Sequence, residues 1–345
     1  MAHRIGRAVV ALAAALSCAG AHAASTWCAS GKPIRIAGIT WKSGQFYSEL
    51  IRAVLEGGYG CKTEIVEGST DQTEAALVKG ELQIWAEQWG GKSAIFQKGL
   101  AEGRVKLVGN LLEGGTLEGW FVPEFVVKGD ARRGIKPLAP GLKTVSDLPR
   151  YREVFARDGD PDKGLFLNCP VGWACEKDNN RKLKAYQLDG TYTNYRPSSG
   201  AVLDMLIAAA MAVDKPVLFY YWSPAALMGG QYRFVQLEEP AYNASCWKTI
   251  HDETGAKLCG SATPPTTLSI GVAAALVQTD PDIVAFLAKL QLTPRQLNGV
   301  VFRMTEHKAS APIEAQEFLR RNPALLRAWL PEAVAAKLQA ALQAR

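Results

Sequence analysis

Four tryptophans stand at or just after the ends of predicted strands, where an open α/β sheet places its ligand-binding residues. The π face of an indole ring attracts cations, and several rings around one methylated ammonium group form an aromatic cage. Each ring contributes about 0.5–2 kcal/mol, so three or four supply much of the ~8 kcal/mol that micromolar affinity requires. The alternative is that the rings belong to the hydrophobic core. The four residues are Trp41, Trp89, Trp120 and Trp222.

Two further features lie beside these rings. Trp85, Glu87 and Trp89 alternate along one predicted strand, which would place all three on the same side of a sheet. Glu87 would then bring a carboxylate near the bound cation, unless it forms an ion pair at the surface or the hinge. Ser43 opens a predicted helix directly after Trp41, and the free backbone N–H groups there would hold a ligand carboxylate or hydroxyl. The alternative for Ser43 is ordinary helix capping.

A short segment between two cysteines, Cys169 and Cys175, follows another predicted strand end and contains Gly172 and Trp173. A disulfide across it would hold the Trp173 ring and the Gly172 backbone in place, which preorganises a binding loop. The alternative is a structural clip that makes no ligand contact.

The N-terminal segment is predicted to be a cleaved signal peptide. Arg4 and Arg7 precede the short apolar run 8–16, and a small-residue cleavage pattern ends at Ala23. The alternative is a lipid anchor at Cys18. The signal peptide predicts export to the periplasm. No later stretch is long and apolar enough to span a bilayer, so we expect a soluble mature protein.

Six of the seven cysteines remain after this cleavage. An even number in an exported chain indicates disulfides, although six cysteines allow 15 pairings. Short separations favour two of the pairs and leave a third, whose cysteines each precede a predicted strand of one βαβ unit. The three predicted pairs are Cys169–Cys175, Cys246–Cys259 and Cys28–Cys61.

Strand and helix signals alternate through the first part of the chain, and this repetition predicts a parallel α/β sheet. The predicted strands are Ile34–Ile39, Lys62–Glu67 and Glu81–Trp89, with helices at Gln45–Leu55 and Thr70–Lys79 between them.

Two later strands are predicted to connect this sheet to a second lobe. Leu117–Val127 would cross to that lobe, and Leu268–Val277 would return from it. Between them, Ser199 is expected to cap an apolar helix at Ala201–Val213, and Val217–Tyr221 reads as a strand. The predicted division is a signal peptide at 1–23, lobe one at 24–118 plus 266–345, and lobe two at 119–265.

Four stretches carry a resemblance to a known family. They are Gly38–Trp41, Gln83–Trp89, Gly119–Pro123 and Lys215–Pro224. In order and spacing the chain resembles the substrate-binding component of glycine betaine/choline-type ABC transporters over nearly its whole mature length. The resemblance implies the fold of a class II periplasmic binding protein, with two α/β lobes that close on a ligand in the cleft between them. It also implies that Trp41, Trp89, Trp120 and Trp222 fall where choline-type binders place cage aromatics.

The chain departs from this family pattern at two points. Some choline binders carry an acid two positions after the first cage tryptophan, where this chain has Ser43. The loop that contains Trp173 is closed by cysteines, whereas the family usually has a glycine-rich loop. A zwitterion tolerates the loss of the acid better than choline does. The expected ligand is therefore glycine betaine, followed by choline- or carnitine-type amines.

Other function classes have little support in the sequence. The net charge of +6 is mild and comes with no basic run, so we expect no nucleic-acid partner. We find no zinc motif, phosphate-binding loop or hydrolase elbow, and predict no metal, cofactor or catalytic activity. Two alternatives are a thiol enzyme that pairs Cys175 with His251, and a sensory or docking protein. The expected partner is the inner-membrane permease of an ABC transporter, with the binding protein acting as a monomer.

Overall fold

The computed structural model describes residues 26–90, 93–157, 160–230, 232–251, 257–264 and 266–344. The predicted signal peptide and Cys18 lie outside these ranges. In the part of the chain that is described, no helix is long and apolar enough to cross a membrane. The strands form two mixed sheets, each covered by helices. The strands are β1 Ile34–Gly38, β2 Thr63–Glu67, β3 Ile84–Trp89, β4 Val105–Val108, β5 Leu117–Pro123, β6 Ala156–Arg157, β7 Asp160–Leu167, β8 Tyr192–Tyr195, β9 Leu218–Ser223, β10 Phe234–Gln236 and β11 Leu268–Ala273.

The helices are α1 Thr26–Ala29, α2 Lys42–Val54, α3 Thr70–Lys79, α4 Ala94–Ala101, α5 Glu124–Lys128, α6 Ala174–Ala185, α7 Gly200–Ala212, α8 Ala226–Gly229, α9 Ala244–His251, α10 Ala274–Thr279, α11 Pro281–Lys289, α12 Pro294–Glu306, α13 Ala311–Arg321, α14 Pro323–Trp329 and α15 Glu332–Gln343. A π-helical turn at Leu55–Tyr59 extends α2, and a 3₁₀ segment covers Val145–Phe155.

The first sheet has the strand order β2-β1-β3-β11-β4. β1 pairs in parallel with β2 and β3, which confirms the prediction for these three strands. β11 pairs antiparallel with both β3 and β4, so β4 runs parallel to the first three strands and β11 alone makes the sheet mixed. β11 is reached only after the chain has passed through the second sheet, and it enters from the opposite end.

The second sheet has the order β10-β5-β9-β7-β6, and β8 pairs with β7. We call the part of the chain built on the first sheet lobe one and the part built on the second sheet lobe two. The predicted lobe limits at residues 118 and 266 stay a prediction.

Both connecting strands end earlier than predicted. β5 stops at Pro123 and β11 at Ala273, because a short helix begins at the next residue in each case. Pro123 offers no backbone N–H to continue the ladder and has a φ of −57°, which suits the entry to a helix. The apolar residues that follow, such as Val126, pack in the core from the helix.

Local sequence explains the helices that approach the cleft. Phe46, Leu50 and Val54 recur at helical spacing on α2 and are fully buried. α7 begins after Ser199, whose hydroxyl accepts a hydrogen bond from the backbone N–H of Val202, as predicted.

The three predicted disulfides are all present. Cys28–Cys61, Cys169–Cys175 and Cys246–Cys259 have Cα–Cα distances of 4.5, 5.8 and 5.0 Å. Cys28–Cys61 ties the segment before β1 to the segment before β2, while Cys169–Cys175 closes a tight loop directly before α6.

The disulfides should differ in their contribution to stability, because a cross-link that closes a longer loop removes more entropy from the unfolded chain. Cys28–Cys61 spans 33 residues and Cys169–Cys175 spans 6. We expect C28S/C61S to lower the free energy of unfolding by about 3–4 kcal/mol and C169S/C175S by about 2 kcal/mol. Urea denaturation without reductant measures both values. Equal losses, or the reverse order, would contradict the loop-entropy explanation.

Candidate functional site

A small aromatic cavity lies between the lobes. Its volume is about 50 Å³, small beside the ~300–1,000 Å³ of clefts that take drug-sized ligands. Five tryptophans and one tyrosine make up half of the residues that line it. The lining residues are Trp41, Thr70, Glu74, Trp85, Gln88, Trp89, Ser93, Trp173, Ala174, Cys175, Tyr220 and Trp222.

The aromatic rings form a connected series across the cleft. The Trp41 ring centroid lies 5.6 Å from that of Trp85 in the same lobe and 5.1 Å from that of Trp173 in the other. Trp173 in turn lies 5.3 Å from Trp222. The planes of these pairs are inclined by 50°, 67° and 67°, so the rings surround a space instead of stacking into a column.

Two of these tryptophans occupy the same kind of position in the chain. Trp41 and Trp173 are the residues just before α2 and α6, and each has extended backbone angles. An extended residue at a helix start directs its side chain away from the helix body, here into the cleft. Tyr220 and Trp222 are two residues apart on β9, so they share one face of the sheet.

The polar edges of the indoles are bonded to the protein. Trp85 Nε1 donates to Thr73 Oγ1 at 2.9 Å, and Trp173 Nε1 donates to Thr40 Oγ1 at 2.8 Å. A buried indole N–H needs an acceptor, and the position of that acceptor fixes the ring plane. The rings are thus oriented before any ligand arrives, which lowers the entropic cost of binding.

Glu87 orients two further rings from behind the cavity. Its Oε1 accepts hydrogen bonds from Trp41 Nε1 at 2.8 Å, Trp89 Nε1 at 3.0 Å and Ser43 Oγ at 3.1 Å. Glu87 is fully buried and does not line the cavity. Burial raises its pKa to about 7, against the lowering effect of the three donors. The structure therefore places Glu87 beneath the cage, not at the position of a direct ligand contact.

The alternation predicted for β3 breaks at its end. Against β11, Gln88 pairs with Ser269 and Trp85 pairs with Gly271, so three steps on β3 oppose two on β11. This bulge re-aims the side chains, as β-bulges beside binding sites often do. Trp85, Gln88 and Trp89 consequently line the cavity, whereas the alternation predicted Glu87 in place of Gln88.

Glu74 is a cavity residue that the sequence reasoning missed. It lies on α3, is 1% exposed, and accepts hydrogen bonds from Gln88 Nε2 at 3.0 Å and from Ser93 Oγ. Burial raises its pKa to about 7. One signal was available: Thr70, Glu74 and Leu77 recur at helical spacing, so this acid falls on the buried face of its helix. Tyr220, on the opposite wall, was missed as well.

Trp120 lies outside the cavity. Its side chain is fully buried in lobe two, where Nε1 donates to Asn179 Oδ1 at 2.8 Å. Its ring centroid lies 4.2 Å from that of Phe166 and 5.6 Å from that of Tyr186. The prediction of a ligand-binding role is corrected here, because Trp120 lies inside β5 on the face that packs against α6 and not at a strand end.

Two other predicted residues support the site without lining the cavity. Ser43 donates its hydroxyl to Glu87 and lies on the wall of a neighbouring cleft. Gly172 has a φ of +84°, a conformation that favours glycine, and a Cβ added to it would lie 3.6 Å from Ser69 Cβ in lobe one. The backbone conformation of Gly172 therefore requires glycine, whereas a side-chain Cβ there would only make an ordinary contact with lobe one. Of the predicted residues, Trp41, Trp89, Trp173 and Trp222 are the ones that the cavity brings together.

The lobes touch each other directly near the cavity. Besides the bond from Trp173 to Thr40, Lys177 Nζ in lobe two lies 2.7 Å from Asp71 Oδ2 in lobe one. These contacts correspond to a closed arrangement of the cleft.

The site shows no sign of thiol chemistry. Cys175 lines the cavity, but it is bonded to Cys169 and so provides no free nucleophile. Within the described residues, no group of three or more His, Cys, Asp or Glu side chains is arranged to hold a metal ion.

Comparison with known proteins gives a consistent result. A family model described as the substrate binding domain of an ABC-type glycine betaine transport system matches residues 32–321. The glycine betaine/proline betaine-binding periplasmic protein of Escherichia coli (strain K12) is 33% identical over 76 residues, which cover 22% of this chain and 22% of that protein. The match thus spans about a fifth of the relative's length.

Solved structures share the fold at low identity. The glycine betaine/L-proline-binding protein ProX from Borrelia burgdorferi has a TM-score of 0.70 at 17% identity, covering 89% of this chain and 100% of that one. An ABC-transporter choline binding protein in complex with choline has a TM-score of 0.71 at 15% identity, covering 91% and 99%. This likeness shows the two-lobed fold of periplasmic binding proteins.

The two buried acids predict a pH dependence of stability. Their folded pKa of about 7 exceeds an ordinary value of 4.5, so the folded chain binds these protons more tightly than the unfolded chain does. Their contribution to stability is complete below about pH 4.5 and is lost as the pH rises through about 7. Between about pH 5 and 7, we expect the free energy of unfolding to fall less steeply in E74Q and in E87Q than in the wild type. The loss that each substitution removes should be roughly 3 kcal/mol at most. Urea denaturation across this range checks it, and slopes equal to that of the wild type would contradict the assignment.

Proposed function

This chain belongs to the family of substrate-binding domains of ABC-type glycine betaine transport systems, and from that premise we propose that it captures a small quaternary-ammonium compound and delivers it to a membrane transporter. One observation carries the proposal: five indole rings and one phenol ring, contributed by both lobes, line a single small cavity.

The chemistry of the cavity suits a fully methylated nitrogen. Such a group has no N–H to satisfy, so it loses little when it leaves water for an aromatic surface, whereas a primary ammonium would lose several hydrogen bonds. Each ring that presents its face adds about 0.5–2 kcal/mol of cation–π attraction. Four of the indole N–H groups donate hydrogen bonds to the protein, so they do not point towards the position of the cation. They belong to Trp41, Trp85, Trp89 and Trp173.

The division of the cage between lobes suggests capture by closure. Trp41, Trp85 and Trp89 belong to lobe one, while Trp173 and Trp222 belong to lobe two. A cation that contacts both groups stabilises the closed form relative to an open one, and this shifts the population towards closure. The closed form is the one we expect the transporter to recognise.

We further propose that the protein acts as a monomer in the periplasm with an inner-membrane permease as its partner. The E. coli relative is named as a periplasmic protein. Three disulfides fit an oxidising compartment of this kind.

The aromatic cage is tested by removing π faces while keeping apolar bulk. We expect W89L and W222L each to weaken binding of choline and of glycine betaine at least tenfold, about 1.4 kcal/mol or more. Isothermal titration calorimetry measures the affinities. W120F is the matched control: it should keep the affinity within about threefold but unfold more easily, by about 1–3 kcal/mol, because Asn179 loses its donor.

Near-normal affinity in both W89L and W222L would rule out the cage. Since a cation in a dry pocket is poorly screened by salt, affinity should also change little up to about 0.5 M salt. A steep loss would indicate binding by exposed ion pairs.

A further inference from the structure

Three polar side chains on the cavity wall, those of Glu74, Gln88 and Ser93, present mainly hydrogen-bond acceptors to one another and to the cavity. Of the other two, Tyr220 donates its hydroxyl to Glu118, and Thr70 adds a hydroxyl. Glu74 presents a buried carboxylate, and the Ser93 hydroxyl donates to it and is thereby occupied as a donor. Gln88, 2% exposed, donates through Nε2 to Glu74 at 3.0 Å, while its Oε1 makes no hydrogen bond within the described residues. A buried acceptor without a donor is costly, so a ligand donor that reaches Oε1 from the cavity would relieve that cost.

The orientation of the Gln88 amide follows from this network. Turning the amide over would bring its oxygen against the Glu74 carboxylate, an acceptor facing an acceptor, and is unfavourable when Glu74 is ionised. The free lone pairs of Oε1 are therefore a consequence of Glu74 and not an arbitrary assignment.

Positive charge is scarce at the same place. None of the described residues that line the cavity is Lys or Arg. The charged side chains that act on Glu74 are Asp71 on the same helix and Lys177 on α6, and these two form an ion pair with each other at the cleft edge. A ligand carboxylate would thus enter a cavity that already holds a buried acid and lacks a basic partner.

One feature of the wall does favour an anion. Ala174 and Cys175 begin α6, and the N terminus of a helix carries partial positive charge. This end already has its own acid, however. Glu176 lies in the first turn, is 7% exposed, and accepts hydrogen bonds from Asn180 Nδ2 at 2.6 Å and Arg196 Nη1 at 3.4 Å. Its carboxylate lies in the same first turn and offsets part of the helix dipole there, while Arg196 shares its charge.

We infer that Glu74, together with Gln88 and Ser93, makes the cavity selective for a quaternary amino alcohol with a net positive charge over a zwitterionic betaine. The trimethylammonium group would lie among the rings near Glu74, and the ligand hydroxyl would donate to Gln88 Oε1. This inference rests on the proposed function and revises the ligand expected from sequence. Betaine is expected from the sequence because Ser43 replaces an acid, but α3 supplies another acid, Glu74, to the cavity.

Calorimetry with choline and glycine betaine tests the inference. The wild type should bind choline at least tenfold more tightly than glycine betaine at about pH 8, where Glu74 is ionised. E74Q should weaken choline binding at least tenfold while changing betaine binding less than threefold, so that the preference is lost. E87Q is the matched control, because it removes a buried acid that lies outside the cavity lining. It should affect both ligands alike through the rings that Glu87 holds.

The protonation of Glu74 gives a second readout. Choline binding favours the ionised carboxylate, so affinity should rise from about pH 6 to about pH 8 with release of a proton, and E74Q should lose most of this rise. Asp71, Lys177 and Glu87 are unchanged in E74Q. Their effect on choline binding is therefore common to the variant and the wild type, and it cancels when the two pH profiles are compared.

The possible outcomes distinguish a failure of the Glu74 inference from a failure of the proposed function. If the wild type binds glycine betaine as tightly as choline or more tightly, and W89L loses both ligands, the role of Glu74 is refuted and the aromatic cage stands. If the wild type binds neither ligand, nor any other methylated amine, the proposed function itself fails. Since the preference is measured on the unaltered protein, a wild type that lacks it refutes the inference even if E74Q folds poorly.

Discussion

The site depends on one requirement: an indole N–H that is buried must find an acceptor in the protein. The Glu87 carboxylate meets this requirement for Trp41 and Trp89 at once, and threonine hydroxyls meet it for Trp85 and Trp173. Because each acceptor belongs to a residue outside the cavity lining, the N–H edge of each ring points away from the cavity. The rest of the ring then forms the cavity wall. The placement of a few oxygen atoms thus converts a cluster of large apolar side chains into a cavity with defined faces.

The topology explains why these rings meet. β1 and β3 run in parallel, so their carboxyl ends lie at one edge of the first sheet, and Trp41 and Trp89 are located there. β9 and the start of α6 supply the opposite wall from the second sheet. The chain crosses between the sheets in the connections that lead into β5 and β11, and a motion about these crossings would separate the two halves of the cage without breaking either sheet. In the proposed mechanism, closure and cage formation would therefore be one event, as in other proteins that capture a ligand between domains.

The sequence was informative wherever local chemistry decided the outcome. Cysteine spacing indicated all three disulfides, and tryptophans that follow strand ends proved to lie in the cleft, as Trp41 does. It failed where tertiary structure decided. Trp120 lies inside β5 and faces the core, which no spacing rule distinguishes from a ring at a strand end. The bulge in β3 places Gln88 in the cavity wall, where the alternation predicted Glu87. Register shifts of this kind depend on the partner strand. Glu74 was missed because an acid on a helix is ordinarily assumed to face solvent.

Aromatic rings alone are a poor basis for selectivity within a family of methylated amines, because every such ligand presents the same trimethylammonium group to them. Discrimination has to come from the few polar atoms that meet the rest of the ligand, since a mismatched buried polar group costs more than a matched one gains. In this cavity the polar side chains belong to Glu74, Gln88, Ser93, Thr70 and Tyr220, and we assign the discrimination to the first three. A carboxylate in such a place destabilises the empty protein when it is ionised, as its raised pKa indicates. A bound cation relieves that cost, whereas a zwitterion brings a second negative charge with it. The group that weakens the free protein is the same group that gives the net-cationic ligand its advantage.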